Sequence, residues 1–283
     1  MIGEALSASV DALSAAGVDE PRLDAELLLA EATGWDRARL AANPEAELPS
    51  AAGRCFGEMV RRRLRREPVA YILGRRGFRH LELTVDPRVL IPRPETELLV
   101  ELALELAPRR VLDVGTGSGA VALAIAAELP QCEVIATDTS AAALEVARLN
   151  AERLGLADRV RLEVGSVPEE EFDLVVANLP YVSDAEWAAL EPEVTEWEPR
   201  EALLGGSDGL DAIRGVLSQC VRLLSGIAPR TANAGIGSLA LEVGERQAAA
   251  VVELLHEAGL DATEARRDLA GIERVVVGRR GAG

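Results

Sequence analysis

The fold is decided by the stretch Val111-Leu112-Asp113-Val114-Gly115-Thr116-Gly117-Ser118-Gly119. A short apolar run that breaks into alternate glycines reads as a buried strand followed by a tight turn. Glycine removes Cβ atoms where the backbone must turn sharply and let a ligand come close. The pattern continues as a helix over 120–129, a strand over 133–137 that ends in Asp138, and a helix over 141–154. A third strand over 160–164 and the apolar run Phe172-Asp173-Leu174-Val175-Val176-Ala177 follow. Farther on come a helix over 209–224, a fifth strand over 238–243, a helix over 247–258 and a terminal strand over 274–278. Residues 168–171 and 228–237 read as exposed loops. Successive strand–helix units predict an α/β fold: a parallel sheet with right-handed crossovers and helices on both faces.

Working back from that stretch, residues 1–70 are helical in pattern. Ala5, Val10, Leu13, Leu23, Leu27, Leu28 and Leu29 recur at helical spacing, with breaks at Gly17-Val18-Asp19 and Gly34-Trp35-Asp36. Pro21 stands near a helix start, where its missing N–H does no harm. A helix over 51–66 ends in Arg61-Arg62-Arg63-Leu64-Arg65-Arg66, the one dense basic block. Two readings of the block stay open. It is a solvated helix face with Met59, Val60 and Leu64 turned inward, or a docking patch for an acidic or RNA-containing partner. A hairpin is expected over 78–90, with Leu81, Leu83 and Val85 alternating and a turn near Asp86-Pro87. Ile91-Pro92-Arg93-Pro94-Glu95-Thr96-Glu97 then opens a helix over 98–106, its prolines and acids suited to a helix start. The chain thus divides into a helical domain over 1–72, a hairpin linker over 73–92 and a catalytic domain over 93–283.

Composition removes several function classes. The 283 residues carry a net charge of −17, which argues against a broad nucleic-acid surface, since phosphate contacts need clustered cations. All 30 basic residues are Arg, which reads as coding bias. Cys55, Cys132 and Cys220 have no metal-ligand spacing, and only His80 and His256 supply imidazole, so no metal site and no Cys-His catalysis is expected. No apolar run reaches membrane-spanning length, and no basic-then-apolar leader opens the chain, so a cytoplasmic, membrane-free protein is expected.

Two constellations carry chemistry. In the first, Gly115, Thr116, Gly117, Ser118 and Gly119 form a ligand turn, and Asp138 at the next strand end is placed to accept both hydroxyls of a ribose. Gly115-x-Gly117-x-x-Ala120 also satisfies a dinucleotide fingerprint, so the turn alone leaves a nicotinamide cofactor open. The second is Asn178-Leu179-Pro180-Tyr181 at the end of the fourth strand, where open α/β sheets bind ligands. An Asn oxygen with a neighbouring backbone carbonyl accepts both hydrogens of a planar NH2 group, and an aromatic ring packs on its face.

Asp113-x-Gly115-x-Gly117-x-Gly119 with Asp138 resembles the cofactor motifs of S-adenosylmethionine-dependent methyltransferases. The resemblance implies a Rossmann-like sheet in which the glycine turn passes the methionine part, Asp138 holds the ribose and the loop with Ser166 and Val167 lines the adenine. Asn178-Leu179-Pro180-Tyr181 resembles the N-P-P-Y tetrapeptide of methyltransferases acting on glutamine amides or adenine N6. Glu67 to Gly74, Ile91 to Glu97, Glu198-Pro-Arg-Glu-Ala-Leu203, Gly205-Gly206-x-Asp208-Gly209-Leu210 and Asp268-Leu-Ala-Gly271 extend the likeness over nearly the whole chain. Together they are similar to the HemK/PrmC family of peptide chain release factor glutamine N5-methyltransferases, which have a small N-terminal helical domain. That resemblance implies S-adenosylmethionine as cofactor and methylation of the glutamine in the Gly-Gly-Gln loop of bacterial class I release factors. It also implies Asn178, Leu179, Pro180 and Tyr181 as catalytic and substrate-binding residues, with Asn178 beside the methyl group. A monomer is expected. The rivals are the sister enzyme that methylates a ribosomal-protein glutamine, a DNA adenine-N6 methyltransferase and a silent cofactor-binding adaptor. Two departures stand out: Leu179 replaces the first proline of the tetrapeptide, and residues 225–237 are longer and less regular than the family's turn.

Overall fold

The computed structural model describes residues 1–165, 167–224 and 237–280. Ser166 and most of the 225–237 segment, on which two of the expectations above rest, lie outside the described residues. Two compact units make up the chain: Met1–Arg75 together with Glu191–Trp197, and the remainder.

In the first unit, helices α1 (Ile2–Ala15), α2 (Pro21–Thr33), α3 (Arg37–Ala42), α4 (Ser50–Leu64) and α5 (Val69–Leu73) enclose a core of Ile2, Leu28, Leu29, Leu40, Phe56, Met59, Val60 and Ile72. Pro21 takes the first turn of α2, Gly34 ends it in the left-handed region at φ 68°, and Asp36 caps α3 by accepting from the Arg39 N–H at 2.7 Å. The basic block follows the solvated-face reading only in part: Met59 and Val60 turn inward as expected, but so does Arg63. Phe56, Met59, Val60 and Arg63 share one face of α4 at helical spacing, so Arg63 points inward and Leu64 outward, 37% exposed.

Buried Arg63 donates to Asp24 Oδ2 at 2.7 Å and to Glu193 Oε1 at 2.6 Å. Arg66 donates to Glu193 at 2.7 Å and to Glu191 at 2.8 Å, and Arg62 to Glu67 at 2.8 Å. The Trp197 indole N–H reaches the Arg65 carbonyl at 3.3 Å. Most of the block is therefore spent on ion pairs inside its own unit. Burial pushes the Asp24 carboxyl up, and Arg63 beside it pulls it back.

The second unit opens at Arg76, one residue into β1 (Arg75–Phe78), which pairs with β2 (Leu81–Thr84) in a two-stranded sheet. Its turn is Arg79-His80, with Arg79 at φ 50°, and not Asp86-Pro87, which makes a separate turn closed by Val89 N–H to Asp86 O. After a 3₁₀ turn (Pro94–Thr96) and α6 (Glu97–Leu106), the main sheet begins with β3 (Arg110–Val114), α7 (Ala120–Glu128), β4 (Glu133–Asp138), α8 (Ala141–Arg153), β5 (Val160–Val164) and β6 (Leu174–Ala177). The short helices α9 (Asp184–Trp187) and, within the first unit, α10 (Pro192–Thr195) precede α11 (Asp211–Leu223), β7 (Ser238–Glu242), α12 (Ala248–Glu257), β8 (Ala262–Arg267) and β9 (Glu273–Arg279).

The strand order is β5-β4-β3-β6-β7-β9-β8. The first five are parallel, but β9 runs antiparallel to both β7 and β8. The all-parallel expectation thus fails at this edge. Strand β8 (Ala-Thr-Glu-Ala-Arg-Arg) has no buried residue, so no apolar alternation announces it. Within β3 and β4 alternate side chains enter opposite layers. Val111, Val134 and Ala136 join the layer of α6 and α7, while Leu112, Val114 and Ile135 join that of α11 and α12. The chain builds outward through β4 and β5, then returns to the other side of β3, which puts the topological switch between β3 and β6.

Asp24 and Glu193 are half-buried, with side chains 14% and 16% exposed, so removing buried Arg63 from between them leaves charge that solvent compensates only in part, at about 1–3 kcal/mol. Arg63→Ala is expected to lower unfolding free energy in urea by that order. A loss well under about 1 kcal/mol, typical of solvated surface pairs, would show that the buried network contributes nothing beyond packing.

Candidate active site

The glycine turn is tied to its neighbours by backbone and carboxylate bonds. Gly115 and Thr116 donate their N–H groups to Thr137 O at 2.9 and 3.0 Å. Buried Asp113 accepts from the Thr116 hydroxyl at 2.6 Å and from the Ala122 N–H at 3.2 Å, closing the turn onto α7. Burial pushes Asp113 up to about 6 despite these donors. Fully buried Asn150, on α8, holds the turn from behind: its Nδ2 donates to Ser118 O at 2.9 Å and Thr84 O at 3.0 Å, and its Oδ1 accepts from Thr84 N–H at 2.7 Å.

At the end of β4, Asp138 accepts from Gly117 N–H at 2.9 Å and from Ser140 N–H at 2.8 Å, one bond per oxygen. Each oxygen keeps a lone pair for a further donor. A cavity of about 310 Å³ opens over these groups. Gly115, Thr116, Gly117, Ser118 and Asp138 line it, as do Gly165, Asn178, Leu179 and Pro180. A Cβ on Gly117 would meet no atom within 4 Å and would stand in the open cavity. A free carboxylate pair of acceptors beside a bare backbone cradle fits a nucleoside such as that of S-adenosylmethionine.

The tetrapeptide forms the adjoining wall. Gly115, at φ 74°, lets it close in: a Cβ there would come within 3.2 Å of Leu179 Cδ2. Asn178 donates through Nδ2 to the Thr96 hydroxyl at 3.1 Å, which leaves its Oδ1 to face a ligand. The Leu179 N–H makes no hydrogen bond among the described residues. Gln247 Nε2 donates to Tyr181 O at 2.8 Å and fixes the backbone at the end of the tetrapeptide. The Tyr181 hydroxyl donates to Glu242 Oε1 at 3.5 Å. Burial and the Glu242 charge push the Tyr181 phenol up.

Three of the sequence-derived site residues stand off the cavity lining. Gly119 begins α7, where a Cβ would come within 2.9 Å of Leu123 Cδ1, so its place is helix packing. Tyr181 is the one member of the tetrapeptide outside the lining, its hydroxyl bonded to Glu242. Val167 borders a different cleft with Glu170, Gln219 and Arg222. Sequence reasoning missed Thr96, Asn150 and Glu198. Glu198, 6% exposed, accepts from Ile91 N–H at 3.0 Å and from Arg93, joining two stretches of cavity wall. Thr96 and Glu198 lie in motifs that the sequence shows and Asn150 in none, and the contacts all three make span long separations.

The fold and this cavity define a Rossmann-like methyltransferase. The hMettl16 catalytic domain in complex with MAT2A 3'UTR hairpin 6 superposes with a TM-score of 0.55 at 15% identity, over 69% of this chain and 74% of that one. A methyltransferase from Pyrococcus furiosus does so at 0.51 and 19% identity, over 71% and 89%. These two show the fold. Residues 4–74 match the PrmC N-terminal domain family and residues 94–193 the Methyltransferase small domain family. A release factor glutamine methyltransferase of Xylella fastidiosa is 46% identical over 94% of this chain and 96% of its own length. That of Geobacter sulfurreducens is 44% identical over 95% and 93%. The chain belongs to the release factor glutamine methyltransferase family.

The exit of the tetrapeptide depends on Gly205. A Cβ there would lie 2.5 Å from the carbonyl oxygens of both Pro180 and Gly209, so one backbone must move. Gly205→Ala is expected to cost about 1–3 kcal/mol, the range for overpacking, and to lower turnover more than cofactor affinity. Unchanged turnover with full stability would show that the wall does not need this close approach.

Proposed function

We propose that this chain transfers a methyl group from S-adenosylmethionine to the side-chain amide N5 of the glutamine in the Gly-Gly-Gln loop of class I peptide chain release factors, in the cytoplasm. The observation that carries the reading is Asn178 on the cavity wall, whose Nδ2 is spent on Thr96 while its Oδ1 accepts no hydrogen bond among the described residues. The names of the relatives and the match to the PrmC N-terminal domain family support the release factor over a ribosomal protein or a nucleic acid. The charge of −17 also counts against DNA.

An amide nitrogen is a poor nucleophile because its lone pair is delocalised into the carbonyl. S-adenosylmethionine, when bound, supplies a methyl group activated by a sulfonium and departs as a neutral thioether. Asp138 would hold its ribose, the 115–118 turn its methionine part, and the Gly165 side of the cavity its adenine. Asn178 Oδ1 and the Leu179 carbonyl accept the two hydrogens of the substrate NH2 and orient its nitrogen. Both acceptors also favour the positive charge that develops on that nitrogen, so they act more strongly in the transition state than in the ground state. Tyr181, anchored through Gln247 and Glu242, supports the wall on which the glutamine side chain packs. The proton made acidic by transfer leaves to water. No strong base is required. Residues 1–72 serve in this reading as the recognition domain for the protein substrate.

Single-turnover methylation of a release factor, with a ribosomal-protein substrate in parallel, tests the proposal. Asn178→Ala is expected to slow transfer by about 10²–10³, the usual effect of losing one preorganised partner. Leu179→Pro is expected to be neutral or mildly activating, since it keeps the carbonyl and sacrifices an N–H that bonds nothing among the described residues. Wild-type rates from Asn178→Ala would move the chemistry elsewhere. Preference for the ribosomal protein would reassign the substrate. Asp138→Ala is expected to weaken cofactor binding in calorimetry by about 1–3 kcal/mol, and tight binding of a nicotinamide dinucleotide in its place would sink the cofactor assignment.

A further inference from the structure

Gln247 stands at the start of α12, and both ends of its side-chain amide are bonded to backbone. Its Oε1 accepts from Gly244 N–H at 2.8 Å, while its Nε2 donates to Tyr181 O at 2.8 Å and to Asp208 O at 3.3 Å. A flipped amide would set its oxygen against two carbonyls and its NH2 against an N–H, so these bonds fix which end faces the tetrapeptide. Two glycines make room for it. A Cβ on Gly209 would collide with Nε2 and with Tyr181 O, and one on Gly244 would come within 2.9 Å of Oε1. One side chain thus joins three stretches of backbone: the end of the tetrapeptide, the loop through Asp208 and the turn after β7.

The tetrapeptide is a short span tied at both ends. At its start, β6 ends at Ala177 and Asn178 Nδ2 reaches the Thr96 hydroxyl. At its far end, Tyr181 O takes the Gln247 bond and Val182 N–H donates to Leu203 O at 2.9 Å. Pro180 has one fixed φ and confines Leu179 to extended backbone, yet Leu179 keeps a φ of its own where a proline would have none. The direction of the Leu179 carbonyl, the second acceptor for the substrate NH2, therefore depends on how firmly the far end is held. Resting on the function proposed above, we propose that Gln247 is a positioning residue: by holding Tyr181 O it keeps the Leu179 carbonyl aimed at the substrate nitrogen, and it supplies the stiffness that a proline at 179 would bring.

Stiffness lost at one point of a short span is regained at another. A proline at 179 removes backbone freedom from the same three residues that the Gln247 bond restrains. The two are coupled, so Leu179→Pro should change little while Gln247 is in place and much once it is gone. A side chain that only stabilised the fold would give no such dependence in the rate.

The test is single-turnover methylation of a release factor at saturating S-adenosylmethionine. Gln247→Met keeps the length and bulk of the side chain and removes all three bonds. It is expected to slow transfer about tenfold, short of the roughly 10²-fold that a full ångström of misplacement costs, with cofactor affinity in calorimetry unchanged. Adding Leu179→Pro is expected to recover about threefold or more of that loss, as coupled residues do. A wild-type rate in Gln247→Met, or no recovery in the double variant, would overturn the inference. If Gln247→Met does not fold, Gln247→Glu decides alone. It keeps the acceptor for Gly244 and turns an oxygen toward Tyr181 O, so it should show the same slowing and the same recovery, and their absence refutes the inference. If the wild type transfers no methyl group to the release factor, the proposed function fails separately. The backbone itself then reads the span: the NMR order parameter of the Tyr181 amide is expected to fall in Gln247→Met and to return with Leu179→Pro, and an unchanged value refutes the inference.

Discussion

Everything at the site depends on the pairing of β3 with β6. The register runs from Val111 opposite Leu174 to Val114 opposite Ala177, so both strands end at the same level. The glycine turn leaves the end of one and the tetrapeptide the end of the other. A slip of one residue would displace one wall by about 3.3 Å and turn every side chain of a strand to the opposite face. Since both faces are apolar and buried, burial alone would tolerate the exchange. What distinguishes the register is polar: Asp113 must find Thr116 and Ala122, and Asp173 must accept from Arg109 and Arg110 at 2.8 and 3.1 Å.

Around the cavity stands a set of polar side chains, Asn150 and Glu198 buried and Gln247 half-buried, bonded mainly to backbone. Asn150, Glu198 and Gln247 each join stretches of chain distant in sequence. In a desolvated interior such groups are expensive unless satisfied, which makes the satisfied arrangement hard to leave. Leaving that arrangement would forfeit several of these bonds at once, a penalty added to that of disturbing the close-packed apolar layers.

The sheet was legible because its strands are short apolar runs separated by helical patterns, and Asp138 and Asn178 were legible because each follows such a run directly. Strand β8 was not, because an edge strand exposed on both faces needs no apolar residues. The inward Arg63 was missed for the opposite reason: it occupies a core position by helical spacing, but its residue type reads as surface until Asp24 and Glu193 are brought to it. Arg79-His80 lacks the glycine or asparagine that marks a tight turn, yet Arg79 takes positive φ there. Thr96 and Glu242 sit in motifs of ordinary appearance. Only folding brings the first to Asn178 and the second to Tyr181.

The seven residues Glu191–Trp197 belong with the helical unit although the chain on either side of them belongs with the other. The boundary is therefore crossed three times, and no single cut separates the units. A fragment beginning after Arg75 would carry Glu191 and Glu193 away from Arg63 and Arg66. The same holds over evolutionary time. A recombination event that exchanged only the first 75 residues would import a helical unit whose acidic partner is encoded elsewhere in the gene. A transplanted helical unit would keep Arg63 and Arg66 paired only if residues 191–197 came with it.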